Sequence, residues 1–534
     1  MSRYTSGRII HFPTPSILIP LLFVLFLVLH AVSESVCSNV EGDSNGACDA
    51  AIAEYERLSE QIQQQHQDKT SRTIVLASSS DSSVVRDQSY KNSGRHHALD
   101  LSNLTQILAV DPAARTVRVQ AKATMEQLVQ STLSHGLIPA VVPEFKSITV
   151  AGAIVGAALE SSSFRFGQFS DTVLECVVLL ANGTLSTISE ASHPDIFHAL
   201  PGSYGSLGIL MEATLQLVRP KMPRVTVTEG IQALVSMAQP EQQQQSHDFL
   251  DAIYFPSGEL AVAVGDFTVD MEEKVDSTTN SQLEVNSSSL WFYEQIQDRL
   301  DLQENAVFTM PIYDYLFRWD YGAFWMARPL QFSWGALRRE PHLAGPFLMA
   351  SRPLRGLFGS LYSTSNLYRV MHKLHPTAVA EKFVIMDAYM PASRTAEYLK
   401  FLHTSIPTSI PIWLCPVLPP RQQQPLSPSG MSLQEEDKVL VNVAVWGRVG
   451  DNRGIEYVAA MEVKMLELGG RKMLYSQTNM TTETLYNQHV DGSLYDVLKR
   501  RLDPKGIFPK LHDKLQLTVQ PPIDLKYWLS RLLL

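Results

Sequence analysis

Cysteine is scarce in this chain, 4 among 534 residues. That is too few for a disulfide framework, so the fold must rest on packed cores, and the length allows two or three domains. Cys37 and Cys48 flank a short polar loop and can pair only in an oxidising compartment. Cys176 and Cys415 sit in apolar surroundings, where a buried inert thiol is expected. Basic residues are also in deficit. Lys plus Arg number 44 against 54 Asp plus Glu, a formal charge of −10. No basic stripe interrupts that balance, which argues against nucleic acid as the main partner. There is no His-Glu-x-x-His and no Cys/His spacing that suits a metal. Both standard nucleotide fingerprints, G-x-G-x-x-G and G-x-x-x-x-G-K-[ST], are missing as well.

What is present begins at the N-terminus. "SILIPLLFVLFLVLHAV" (16–32) is a continuous apolar run behind Arg3 and Arg8, with no acid before Glu34. It reads either as a single membrane anchor, slightly short of the roughly 20 residues a spanning helix needs, or as a cleaved signal peptide with "HAVSES" as its cleavage site. Either one sends the chain to a membrane system.

Along the rest of the chain the periodicity is that of an α+β protein. Residues 50–67 read as a polar helix, "RTVRVQA" alternates like a half-buried strand, and "TMEQLVQSTLSHG" has helical period with Thr124 as N-cap and Gly136 beyond its end. Asn182-Gly183, flanked by two strands, is a strong hairpin signal. "HPDIFHAL" reads as a short helix, "PGSYGSLG" as a loop and "ILMEATLQLV" as another strand. We expect four regions: an anchor or signal at 1–35, a first α+β domain at 52–219, a second at 220–477 and a helical segment at 478–534. The polar insertions "PEQQQQSHD" and "RQQQPLSPSG" read as surface loops.

One stretch stands apart. "TVAGAIVGAALESSS" (149–163) is crowded with small residues and fills little volume, so it is poor core material. Small residues can simply permit close helix packing. They can equally let backbone N–H groups approach an anionic ligand, and here three serine hydroxyls follow, each able to bond phosphate or ribose oxygens. A phosphate cradle outside both standard fingerprints points to another family.

From "VVPEFKSITVAGAIVGAALESSSFRFGQFSDT" through "DIFHAL" to "GSYGSLGI", the order of motifs resembles the FAD-binding (PCMH-type) domain of the vanillyl-alcohol-oxidase superfamily. Within it, "ESSS" with "FGQFSDT", "PIWLCP", "KMLYSQTNM" and "DGSLYDVLKRRL" resemble the delta(24)-sterol reductases, over most of the chain after about residue 90. The resemblance implies a two-part FAD-binding domain followed by an α+β substrate (cap) domain, with the C-terminal helices returning to the flavin. It places the flavin-binding segment on Thr149, Val150, Ala151, Gly152, Ala153, Ile154, Val155, Gly156, Ala157, Ala158, Leu159, Glu160 and Ser161. Backbone groups from Val150 to Gly156 would hold the pyrophosphate. Ser206, Leu207, Gly208 and Ile209 would lie along the isoalloxazine, where glycine permits close approach to a flat ring. The upstream phosphate loop, which in the superfamily can carry a flavin-linking His, is replaced by "LASSSDSSVV". Neither His96 nor His97 stands in such a motif, so non-covalent FAD is expected.

The family reaction is the saturation of a sterol side-chain double bond, with NADPH as the reductant. It needs a hydride, a proton and a dry pocket. In the sterol reductases a His-Arg-His cluster lies between a tyrosine and a Phe-Trp pair. In the matching "PIYDYLFRWDYGAFW" (311–325), Tyr315, Arg318, Phe324 and Trp325 keep their places, but the histidines have become Phe317 and Trp319. We take Tyr315, Arg318 and Asp387 as the catalytic candidates. Tyr315 or Tyr321 would give a proton, Arg318 would hold developing charge or an NADPH phosphate, and Asp320 or Asp387 would orient them. Trp413 and Cys415 read as core beside the flavin, and Asp491 as a helix N-cap. Three readings stay open: the sterol reductase, a flavin oxidase or dehydrogenase of an alcohol or sugar on the same fold, and an inactive membrane-attached flavin- or sterol-binding protein. The partners expected are a small molecule, a sterol on the first reading, and a membrane, that of the endoplasmic reticulum or, after signal cleavage, the secretory pathway. Nothing specifies an oligomeric state.

Overall fold

The computed structural model describes residues 44–67, 73–77, 88, 91, 96–220, 222–229, 231–239, 247–268, 280–282, 291–301, 307–327, 359–407, 411–434, 437–515 and 525–533. The apolar run at 16–32, Cys37, most of "LASSSDSSVV" and most of "PEQQQQSHD" lie outside these residues. Among the described residues, no helix is long and apolar enough to cross a membrane, and no His/Cys/Asp/Glu group is placed to hold a metal.

The architecture is α+β. A polar helix, Ser44–Gln67, leads into a two-stranded parallel sheet of β1 (Thr73–Leu76) and β2 (His96–Leu99). Strands β3 (Ile107–Asp111), β4 (Thr116–Gln120), β5 (Ile138–Pro139), β6 (Val173–Leu179), β7 (Leu185–Ser189) and β8 (Ile209–Val218) follow. They form an antiparallel sheet ordered β3-β4-β8-β6-β7, with β5 paired to β8. Local signals are honoured here. Thr124 and Gln127 form a reciprocal capping box at the helix Met125–Leu133, which satisfies amides that a helix start leaves open. Gly136 follows it at φ +68°. Asn182-Gly183 turns β6 into β7, with Gly183 in the left-handed region that favours glycine.

Chain 222–472 supplies the larger sheet. Its strands are β9 (Met222–Glu229), β10 (Phe249–Tyr254), β11 (Leu260–Thr268), β12 (Asn280–Gln282), β13 (Val307–Thr309), β14 (Phe383–Pro391), β15 (Ile412–Val417), β16 (Leu440–Arg448) and β17 (Arg471–Lys472). Their order is β12-β13-β9-β11-β10-β15-β16-β14-β17. The central strands are buried on both faces, and alternation sorts their side chains into two cores. Leu250, Val384, Met386, Leu414, Val443 and Val445 pack with Leu399, Leu402, Val458 and Met461 of the helices Ala392–Ser405 and Gly454–Glu467. Phe249, Ile253, Ile385, Tyr389, Trp413, Ala444 and Trp446 face the other way and join Phe145, Leu159 and Phe169 of the first domain in one apolar cluster. That second face carries three polar side chains in its midst: Asp251, Asp387 and Asn442, all buried.

The segment "RQQQPLSPSG" departs from its surface-loop reading. Arg421, Gln422 and Gln423 are exposed, but Gln424, Leu426, Ser427 and Ser429 are buried. Ser427 and Ser429 both donate to Gln168 Oε1, at 2.7 and 2.8 Å, and Gln168 Nε2 donates to the Tyr389 hydroxyl at 2.8 Å. The Ser427 and Ser429 hydroxyls are thus satisfied between the two domains, and Gln424 Nε2 donates to Asp171, which is why a Pro/Ser/Gln stretch can be interior. The C-terminal helices close the other side. Lys499 Nζ donates to Ser206 O and Phe508 O and pairs with Asp503, while Lys514 Nζ donates to Tyr204 O.

Candidate functional site

The two segments expected to hold a flavin meet. Residues 150–155 form a short helix capped by Thr149. Gly202 N and Tyr204 N both donate to Val155 O, at 3.0 and 3.3 Å, so the 202–208 loop lies directly on the small-residue stretch. The surface there is low: Gly152 is exposed, and Ala151, Gly156 and Ala158 are half-buried. One part of the expectation needs correction. The amides of Val150, Ala151, Gly152, Ala153, Gly156, Ala157 and Ala158 all donate inside the protein, to Ala123 O, Ala121 O, Thr149 or the helix itself. The stretch therefore offers a ligand a low surface rather than a row of free N–H donors. Buried hydroxyls without a hydrogen-bond partner stand nearby, on Ser170, Ser203 and Ser206. A buried hydroxyl left unpaired costs about 1–3 kcal/mol, and a ligand rich in phosphate, ribose and carbonyl oxygens would relieve that. These residues fit FAD.

Glu160, at the end of the stretch, turns toward the second domain and bonds Arg318. This arginine is fully buried and clamped from two sides: Nη2 lies 2.6 Å from Asp251 Oδ2 and 3.0 Å from Glu160 Oε1. Nη1 donates to Tyr315 O at 2.9 Å, and the guanidinium lies 4.3 Å from the Tyr315 ring centroid. Trp413 Nε1 donates to Asp251 Oδ2 at 3.0 Å. Burial opposes the arginine's charge, but the two carboxylates and Tyr315 outweigh it and hold Arg318 above its ordinary range. Burial pushes the Tyr315 hydroxyl well above its ordinary range. Arg318 is already balanced by partners, and Tyr315 is walled in.

Asp387 lies on β14 of the same sheet face. It accepts from Trp446 Nε1 at 2.7 Å, the Tyr475 hydroxyl at 2.8 Å and Asn442 Nδ2 at 3.2 Å. Burial raises its pKa, and the three donors oppose that. Asp320 accepts from Lys146 N at 3.1 Å and is pushed up to about 6 by burial. Asp491 caps the helix Gly492–Leu502 through Leu494 N.

Aromatic rings fill the space between these carboxylates. Gly322, Ala323 and Phe324 are all left-handed, at φ +79°, +45° and +61°, a costly run for two residues with side chains. It stacks Phe324 on Trp319 at 4.5 Å and lets Trp325 Nε1 donate to Trp446 O at 2.8 Å. Phe145 meets Phe324, Tyr368 and Trp446 at 5.7–6.0 Å. Phe317 and Trp319, which replace the family's histidines, are buried and packed against aromatic rings; Phe317 lies 5.1 Å from Tyr313. They supply no titratable group.

Sequence reasoning singled out Tyr315, Arg318, Asp387 and Glu160, and the structure gathers them between the two domains. It missed Asp251, which looks like one polar residue in a strand, and Glu144, in the loop before the small-residue stretch. Glu144 is half-buried and within electrostatic reach of Glu160, Asp387 and Arg318; burial pushes its carboxyl up to about 8.

Comparison with known proteins agrees with this geometry. A family model described as an FAD binding domain matches residues 56–189. The delta(24)-sterol reductase of Homo sapiens is 26% identical over 428 residues, 78% of each chain. A delta(24)-sterol reductase homolog of Caenorhabditis elegans is 24% identical over 498 residues, 88% of each chain. The decaprenylphosphoryl-beta-D-ribose oxidase of Mycolicibacterium smegmatis matches more locally, 32% identical over 120 residues, 22% of this chain and 26% of that one. With an FAD-binding domain, relatives along most of its length and a site between two domains, the chain is an FAD-dependent oxidoreductase that is similar to the delta(24)-sterol reductases.

Proposed function

We propose that the protein reduces the delta(24) double bond of a sterol side chain with NADPH, through non-covalently bound FAD. The observation that carries this reading is the aromatic cluster between the domains, in which Phe324 packs against Phe145, Trp413 and Trp446, with carboxylates set into an otherwise apolar face. Such an apolar lining suits a branched hydrocarbon tail, which needs no hydrogen bonds. Bound FAD supplies the hydride chemistry. The low surface at Gly152 and the unpaired serine hydroxyls would hold it, while Lys499 and Lys514 fix the loop carrying Ser206. Non-covalent attachment is supported by His96, whose ring Nδ1 is engaged by Thr73 within the β1–β2 pair.

The test uses purified full-length protein under nitrogen. NADPH should bleach the flavin, and a sterol with a delta(24) side chain should restore the colour with one saturated product formed per flavin. Bleaching by an alcohol but not by NADPH would favour the oxidase reading, and a flavin that responds to neither would favour an inactive binding protein. We place the protein in the endoplasmic reticulum membrane, attached through residues 16–32. Resistance to carbonate extraction supports attachment, and a soluble chain lacking about the first 30 residues, a cut in the usual range for signal peptides, would overturn it. Protease protection of sealed microsomes reads which side holds the catalytic body.

A further inference from the structure

A reductant that hands hydride to a flavin needs a docking place of its own, and no group described so far supplies one. A cleft of about 150 Å³ lies where the two domains meet. Pro139, Val142 and Val218 wall it from the first domain, and Phe249 and Leu316 from the second. The Phe249 ring lies 4.6 Å from the Tyr315 ring, and Leu316 follows Tyr315 in the chain. Ser162, which also lines the cleft, follows directly on the 149–161 segment expected to hold the flavin, and its hydroxyl donates to Ala140 O at 2.9 Å. The cleft thus borders both the flavin segment and the residues around Arg318.

Two arginines stand at this cleft, Arg165 and Arg219, with one carboxylate, Asp248. Arg165 Nη1 pairs with Asp248 and donates to His247 O at 3.3 Å. Arg219 is exposed, just past the end of β8, and among the described residues none bonds or pairs with its side chain. Two guanidinium charges against one carboxylate leave the cleft net positive, in a chain whose formal charge is −10.

Size and charge together select the ligand. About 150 Å³ is the volume in which one benzene ring fits, so the cleft seats a single ring and not the four fused rings of a sterol. A sterol carries no charge either, and would strip water from the guanidiniums without replacing it. A nucleotide has both matching parts: a flat ring for the apolar walls, and phosphate oxygens for the planar guanidinium forks.

We infer that this cleft docks a nucleotide unit of the nicotinamide dinucleotide, its ring against the apolar walls and its phosphate on Arg219, with Arg165 as the second contact. The inference rests on the NADPH reading above and gives it a site. Asp248 plays two opposed parts: it holds Arg165 at the rim, and as an anion it weakens the pull on the phosphate.

The test follows flavin bleaching against NADPH concentration in full-length, flavin-loaded protein under nitrogen. Arg219→Glu should keep its flavin and reach the wild-type limiting rate. It should half-saturate at a concentration at least about 10-fold higher, the scale of one charge-assisted hydrogen bond lost. Asp248→Asn should move half-saturation the other way, about 3-fold lower, the scale of one partly exposed charge. A rise in both variants would be general damage to the cleft and overturns the assignment. Half-saturation of Arg219→Glu at the wild-type concentration overturns it too, while leaving the NADPH reading intact. In that case, binding of dihexanoylphosphatidic acid by the wild type but not by Arg219→Glu would give the cleft to a lipid headgroup. A wild-type flavin that NADPH does not bleach defeats the NADPH reading, and the assignment with it.

Discussion

Arg318 Nη2 and Asp251 Oδ2 stand 2.6 Å apart with both side chains shielded from water, and Glu160 reaches the same guanidinium from the first domain. A buried ion pair gains little net stability when formed, but removing one partner leaves an uncompensated charge and costs about 3–5 kcal/mol. Arg318→Met should therefore destabilise the protein by that order in denaturant unfolding. The deficit should be greatest near pH 8 and shrink toward pH 5, because Glu160, which burial already raises, loses the guanidinium that holds it down and can neutralise itself by taking a proton. A deficit that does not vary with pH would assign the loss to packing instead. Adding Asp251→Asn and Glu160→Gln to Arg318→Met should recover much of it.

The flavin cradle makes a graded prediction. A Cβ at Gly152 would meet only the Thr149 hydroxyl, at 3.0 Å, whereas one at Gly156 would come within 2.6 Å of Gly152 O. Gly152→Ala should keep its flavin, Gly152→Leu should lose it, and even Gly156→Ala should reduce it, since backbone cannot move aside as a side chain can. The flavin-to-protein absorbance ratio after purification reads all three. Full flavin in Gly152→Leu would remove this stretch from the cofactor site. Acid precipitation should leave a colourless pellet.

How much of this was legible follows the range of each signal. Thr124 with Gln127, Asn182 with Gly183 and Asp491 with Leu494 act over one to three residues, so their pattern is complete in the local sequence. The Arg318 clamp joins residues 67 and 158 positions apart, and no local period encodes such a pairing. Asp251 was obscured for a further reason. In "FLDAIY" one polar residue among apolar ones suggests a face turned to water, yet both faces of β10 are buried. The small-residue stretch announced a close approach correctly but not its donors, because Ala121 and Ala123, some 30 residues upstream, take the amides of Ala151 and Val150.

The buried 424–430 segment is testable through its glycine contacts. Gly202 is left-handed at φ +80°, and a Cβ there would lie 2.0 Å from Leu426 O. Gly258 is also left-handed, at φ +92°, but has open space around it. Gly258→Ala should cost about 1 kcal/mol, the strain of the left-handed conformation alone. Gly202→Ala adds a clash between two backbones and should cost about 3 kcal/mol. Equal losses in the two variants would mean that the segment does not hold its place against the flavin loop.

His489 gives a pH prediction with a defined sign. It is buried, and its Nε2 lies 2.9 Å from the Lys472 amide nitrogen, from which a neutral ring accepts. Burial, with Arg471 and Lys472 nearby, pushes its pKa down from 6.5 to about 3. Between those values the unfolded chain binds a proton that the folded protein refuses, so acidification favours unfolding. The neutral ring's contribution is fully present above pH 6.5 and is lost progressively as pH falls toward 3. Asp171 and Asp320, raised by burial to about 7 and about 6, act in the opposite sense. Their contribution is present at low pH and is lost as pH rises through those values. The net slope of the wild type thus mixes both signs, and only a difference isolates the histidine. His489→Gln keeps a group able to bond the Lys472 backbone but cannot take up a proton. The stability of the wild type relative to this variant should be constant from pH 7 to 8 and should fall steadily from about pH 6.5 to about pH 4. Unfolding midpoints for both proteins across that range decide it. A difference that stays flat would mean that the folded protein admits the proton and that His489 is reached by water.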